Sequence, residues 1–195
     1  MPLEYLPPPA SNALRQGEII AGIWEHQSDS APVEVLEGSG ISFDPISHPL
    51  LMVMTPDCDL LWDYEGRIRA QSEGQPIGDA RDDPGVLPHV LLCDLFSHEE
   101  IRPRFTGQSD IWRRIRQNQN ERYHHLPTAP VGDTADEVLP DLYLDFKKIL
   151  TLPTHRFYEG LESASIKRLA IMPPIYLQDL MHRFYAFLGR VGVPD

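Results

Sequence analysis

Apolar positions along this chain fall mostly into short runs, and these predict strands. "GEIIAGIWEH", residues 17–26, offers Ile19, Ile20, Ile23 and Trp24 for burial. "PLLMVM", 49–54, is apolar without interruption, the pattern of a strand covered on both faces. "HVLLCDLF", 89–96, predicts a third strand. In "LPDLYLDFKKILTL", 139–152, Leu142, Leu144 and Phe146 alternate with Tyr143, Asp145 and Lys147, which marks a half-buried strand. The period changes twice. "DIWRRIRQNQNERY", 110–123, predicts an insert helix over about 110–122. Asp110 suits its N-cap, and Ile111, Ile115, Asn118 and Arg122 are expected to share one face. "PPIYLQDLMHRFYAFLGRVG" predicts a C-terminal helix over about 174–189. Pro173 and Pro174 suit its start, Leu177, Leu180, Met181, Phe184 and Leu188 form its stripe, and Gly189 or Gly192 ends it.

The intervening stretches are polar and punctuated. Residues 1–15, with "LPPPAS", form a proline-rich arm that suits neither helix nor central strand. Residues 27–47 allow one short strand at "VEVLE", and 65–86, with Gly66, Gly74, Gly78 and Gly85, predict a long glycine-rich loop. Strands and helices do not alternate regularly. The expected fold is therefore mainly β with α: one domain over 16–195, a small antiparallel barrel closed by the terminal helix.

Composition narrows the partners. The net charge of -12 opposes a bulk electrostatic grip on nucleic acid or an anionic membrane. The run Leu50–Met54 is too short to span a bilayer, and the N-terminus lacks the basic and apolar regions of a signal peptide. Cys58 and Cys93 make no disulfide framework, so a cytoplasmic protein with free thiols is expected.

Three groups carry candidate chemistry. The apolar run at 49–54 ends in Thr55-Pro56-Asp57-Cys58-Asp59. Cys58 is either a nucleophile or a small residue ending a strand, with Asp57 or Asp59 capping the turn. A nucleophile needs a cation or histidine beside it, and the flanking aspartates oppose a thiolate. His48, ahead of Pro49, is either an acid–base group or a structural histidine. "RRIRQNQNERYHH", 113–125, gathers Arg114, Asn118, Arg122, Tyr123 and His124, residue types suited to phosphate and base contacts. Its alternative is a solvated helix with a structural salt bridge. Arg122 is expected to pair with Asp57 or Asp59 and, with Tyr123, to meet the turn at one end of the barrel. Metal-ligand spacings and a phosphate-binding glycine loop are both lacking, so no metal or cofactor is expected.

Five segments in order resemble the PemK/MazF-like superfamily. "RQGEII" is similar to that family's "RGDI" strand, "HPLLMVMT" to "RPVVVIS", and "LPHVLLCDL" to the next barrel strand. "LYLDFKKILTLPTHRF" matches through Asp145, Ile149, Thr151, Leu152 and Arg156, and the terminal helix resembles the family's closing helix. The likeness covers roughly 15–64 and 86–192. It implies an SH3-like barrel, a homodimer and a metal-independent endoribonuclease class. In that class an arginine before the second strand and a Thr or Ser on a neighbouring strand serve attack by the RNA 2′-OH. Here His48 stands at the arginine position and Cys93-Asp94 at the hydroxyl position. Both depart from the pattern. The resulting expectation is a binding or interaction module of a bacterial toxin or defence-type system, with a degenerate nuclease site and an RNA or protein partner. The alternatives are an endoribonuclease using His48, Arg122 and a residue of the turn from Thr55 to Asp59, and a cysteine-dependent hydrolase.

Overall fold

The computed structural model describes residues 3–28, 43–74, 85–132 and 134–190. The strands are β1 (Glu18–Ser28), β2 (Phe43–Val53), β3 (His89–Ser97), β4 (Tyr123–Leu126), β5 (Ala129–Val131), β6 (Thr134–Leu139), β7 (Leu142–Pro153) and β8 (Lys167–Ile171). The helices are α1 (Asp57–Ser72), α2 (His98–Ile101), α3 (Ser109–Arg116), α4 (Thr154–Glu162) and α5 (Pro174–Leu188). A six-stranded sheet runs β4-β7-β3-β2-β1-β8, with every pairing antiparallel, and β5 pairs with β6 in a second sheet. The mixed architecture, the antiparallel sheet and the C-terminal helix match the sequence reading. Among the described residues, the edge strands β4 and β8 do not pair with each other. The strand expected at 33–37 lies outside the described residues.

The apolar run of β2 is buried from both sides, as its lack of alternation requires. Met52 and the adjoining Met54 join Ile19, Cys93, Leu95, Leu144 and Phe146 beneath Leu180, Met181 and Phe184 of α5. Leu51 and Val53 face the opposite way, into Ile20, Val90 and Leu92 beneath Leu60 of α1 and Phe157 of α4. Each such fully buried aliphatic side chain contributes about 1.5–3 kcal/mol. A third cluster, Ile101, Ile115, Tyr123 and Tyr143, lies under the α2–α3 insert.

The N-terminal arm is extended, as its prolines require, yet it is part of the body. Tyr5 is fully buried and donates its N–H to the Pro130 carbonyl at 2.9 Å. Leu6 and Ile171 exchange two backbone hydrogen bonds. The arm thus sutures β8, the far edge of the large sheet, to β5. Buried Glu18 anchors Arg168, which also donates to the carbonyls of Ser11 and Ala13. Where β1 passes beneath the turn before β8, Gly22 has φ +89°, and a Cβ there would stand 2.1 Å from the Ser165 oxygen, so only glycine fits.

Three local expectations need correction. Residues 65–72 belong to α1 rather than to a glycine-rich loop, while 75–84 lie outside the described residues. The buried face of α1 runs Leu60, Asp63, Arg67, Ala70, so two of its inward positions are charged. Arg67 and Asp63 pair at 2.9 Å, and Leu87 and Tyr158 donate further hydrogen bonds to Asp63. That internal ion pair erases the apolar stripe by which a helix is recognised. The insert helix α3 stops at Arg116, because Asn118 turns left-handed at φ 54°. Asn118 and Arg122 therefore do not extend the face that holds Ile115.

Candidate functional site

A wide bulge shapes the main polar cleft. In the β3–β7 register, Leu95 faces Leu144 and Cys93 faces Ile149, so Asp94 alone spans the stretch from Asp145 to Lys148. The extra length pushes Lys147 and Lys148 outward, while Asp145 turns in and is fully buried. Arg122 closes on Asp145 through two charge-assisted hydrogen bonds of 2.6 and 2.5 Å, and the Lys147 N–H adds a third at 3.1 Å. The ion pair raises the Arg122 pKa further and fixes the bulge.

On the other side of β3, His48 Nδ1 lies 2.7 Å from Asp94 Oδ1, with side-chain exposures of 10% and 15%. An ionised carboxylate only accepts, so the geometry makes His48 Nδ1 the donor to Asp94. His48 and Asp94 line a cavity of about 560 Å³ with Ser47, Arg104, Lys147 and Lys148. Arg104 covers the Phe96 ring at 4.5 Å. Neither lysine nor Arg104 makes an ion pair among the described residues. Three cations that make no ion pair among the described residues thus share the cavity with the His48–Asp94 pair and the carboxylate of Glu100, on a chain of net charge -12. Chemically, the arrangement can neutralise phosphate oxygens and present an imidazole to a neighbouring proton.

The residues singled out from the sequence divide among several places. His48 lies in the cleft. Thr55 is buried at the β2 end, and its Oγ1 accepts the Leu91 N–H at 2.7 Å, a strand-like link to β3. Asp57, Cys58 and Asp59 begin α1 rather than form a free turn, and the acidic pair suits the positive helix terminus. Asp57 accepts from Arg15 at 3.0 Å and from the Gln16 N–H at 2.7 Å. Burial works to raise its pKa, but these donors outweigh it and hold the carboxyl below the ordinary range. Cys58 is exposed, and its hydrogen-bond partner among the described residues is Asp59, 3.6 Å away, not a histidine. Between His48 and this helix start lies the rest of β2, about 16 Å of strand at 3.3 Å per residue. The pairing expected between Arg122 and Asp57 or Asp59 does not form, because Arg122 is committed to Asp145 and Asp57 to Arg15.

The remaining binding candidates hold the turn before β4. Asn118 exchanges two hydrogen bonds with the His125 backbone. Tyr123 is buried against Phe105, and Arg122 covers its ring at 4.9 Å. His124 is buried; desolvation, aided by Arg183 and His125, lowers its pKa to about 3. Arg114 is exposed, and among the described residues its guanidinium reaches the Gln119 carbonyl, at 3.4 Å. Cys93 is buried, and burial raises its thiol pKa.

Sequence reasoning reached Asp94 only as a position and missed Arg104, Lys147 and Lys148. The doublet Lys147-Lys148 did carry a signal, since it interrupts the alternation of β7 just where the bulge begins. Among the described residues no set of His, Cys, Asp and Glu could hold a metal ion, and no helix is long and apolar enough to cross a membrane. With this geometry in hand, comparison with protein-family models finds no match, and comparison with curated proteins finds none either.

Proposed function

We propose that this chain is a PemK/MazF-like module of a bacterial toxin or defence-type system that binds single-stranded RNA through the cleft around His48 and Asp94. The observation that carries the reading is the set of Arg104, Lys147 and Lys148, which make no ion pair among the described residues and outnumber the cavity's carboxylates Asp94 and Glu100, on a strongly acidic protein. Phosphodiesters are the ligands such a set serves, because each cation can displace a counterion from the strand. The arm supports a barrel-like reading of the fold, since it links β8 to β5, and β5 follows directly on β4. A cytoplasmic location and a homodimer belong to the same proposal.

Fluorescence anisotropy with a mixed single-stranded ribo-oligonucleotide tests it. Three phosphate contacts predict a slope of about -2 in log affinity against log salt, falling to about -0.7 in a Lys147→Ala/Lys148→Ala variant. Absence of saturable binding at low salt, or a slope that ignores both lysines, would sink the proposal.

A second reading, a metal-independent endoribonuclease, is favoured by the 2.7 Å His48–Asp94 bond. His48 would take the 2′-OH proton while the cations hold the phosphate. Cleavage in the presence of a chelator, lost in His48→Ala, supports it; intact RNA with wild-type protein removes it and leaves the binding reading standing.

A further inference from the structure

A second cavity lies away from this cleft, between α5 and the turn that precedes β4. It measures about 320 Å³ and is lined by Asn118, Gln119, Asn120, Glu121, Arg183, Ala186, Phe187 and Arg190. Arg183 is the unusual member. It is half-buried, and its hydrogen bonds run to neutral acceptors: the carbonyls of Asn120 and Tyr123, at 2.5 and 3.0 Å, and His124 Nδ1 at 3.1 Å. His124 cannot be protonated while it accepts that bond, and its lowered pKa agrees. No carboxylate among the described residues pairs with Arg183; Asp179, one turn earlier on α5, acts on it only from beyond ion-pair distance. Desolvation pushes the Arg183 pKa down, as expected for a cation with too little compensation. A half-buried charge without a counter-ion is costly, and an anion in the adjoining cavity would relieve it.

The surroundings limit the kind of anion. Arg190 is already paired with Glu121 at 2.9 Å and lies over the Phe187 ring at 3.9 Å. One uncompensated positive charge therefore remains, with Asp179 nearby. A phosphate monoester carries about -1.5 to -2 and would overcompensate. A carboxylate carries one charge. Ala186 and Phe187 add an apolar wall, and Asn118 and the Asn120 side-chain oxygen are spent on backbone groups. The wall suits a short hydrocarbon body, and the volume suits a small molecule.

We infer that this cavity is a binding site for a small organic monocarboxylate, with Arg183 as its counter-ion and Ala186 and Phe187 against its apolar part. The site is independent of the RNA reading and shares no lining residue with the His48 cleft.

The test uses the full chain labelled with nitrogen-15 and titrated at constant ionic strength with butyrate, the neutral isostere butyramide, inorganic phosphate and a single-stranded ribo-oligonucleotide. Butyrate is expected to saturate with a Kd of about 1 mM, the range of a single ion pair with a small apolar contact. Shifts should concentrate at Asn118–Glu121 and Ala186–Arg190. Arg183→Gln, checked for folding by circular dichroism, should abolish binding. Ala186→Leu fills the cavity from an exposed helix position without touching the charge, and should weaken butyrate at least about tenfold. The inference is overturned if butyrate fails to saturate, if butyramide or phosphate binds equally well, if Ala186→Leu binds as tightly as wild type, or if the oligonucleotide rather than butyrate moves these amides.

Discussion

Replacing Arg122 with alanine strands a carboxylate that is fully buried. Asp145 has no solvent exposure, and two of its hydrogen bonds, at 2.6 and 2.5 Å, come from the Arg122 guanidinium. Among the described residues, only the Lys147 N–H would remain on its side chain. Removing one partner of a buried ion pair costs about 3–5 kcal/mol. The low end, about 3 kcal/mol, applies here: Arg122 itself is 36% exposed, so water can enter the space it vacates. For a domain of this size that corresponds to a fall in Tm of about 6–12 °C. Urea and thermal denaturation of wild type, Arg122→Ala, Asp145→Asn and the double variant would give both the loss and the coupling, expected near 2 kcal/mol. The bulge presents Lys147 and Lys148, so Arg122→Ala should also weaken RNA binding, although Arg122 does not line the cleft. A loss below about 1 kcal/mol would refute the reasoning, because it would make the pair equivalent to an exposed salt bridge. A stable variant that binds RNA normally but loses cleavage would return Arg122 to the catalytic role that sequence reading gave it.

Two further outcomes are expected. His124 has a folded pKa of about 3 against 6.5 when unperturbed, so below about 6.5 the unfolded chain takes up a proton that the folded one refuses. Its contribution to stability is therefore complete above about pH 6.5 and is lost as pH falls toward about 3, at up to about 1.4 kcal/mol per pH unit. His124→Asn keeps an acceptor for Arg183 and should flatten denaturation midpoints measured over that interval; an unchanged slope counts against the assignment. Native protein should show a single reactive thiol, Cys58, with Cys93 reacting only after unfolding, and Cys58→Ser should leave stability and RNA affinity unchanged. A dependence of either on Cys58 would revive the hydrolase reading.

The long strands β1, β2, β3 and β7 and the last helix were legible because burial wrote itself into one-dimensional patterns, whereas the short strands β5, β6 and β8 were not read. The unbroken run of β2 announced two covered faces, and Leu177, Leu180, Met181 and Phe184 announced the inward side of α5. Helix α1 was not legible, because Asp63 and Arg67 occupy inward positions and satisfy each other there, while Leu61, Trp62 and Ile68 point outward. Sequence marks polarity; only a folded neighbour tells whether a charge is paired. The Thr55–Asp59 segment stood out as polar, but nothing local could say that Arg15 and Gln16 would claim Asp57. His48 was identifiable as a chemical group. Its partner was decided by register: the antiparallel pairing of β2 with β3 and the bulge opposite Asp94 bring residues 48, 94, 104 and 147 to one cleft. Secondary structure follows from short-range periodicity, whereas a site assembled across four segments depends on strand offset, and a slip of one residue would turn His48 to the other face.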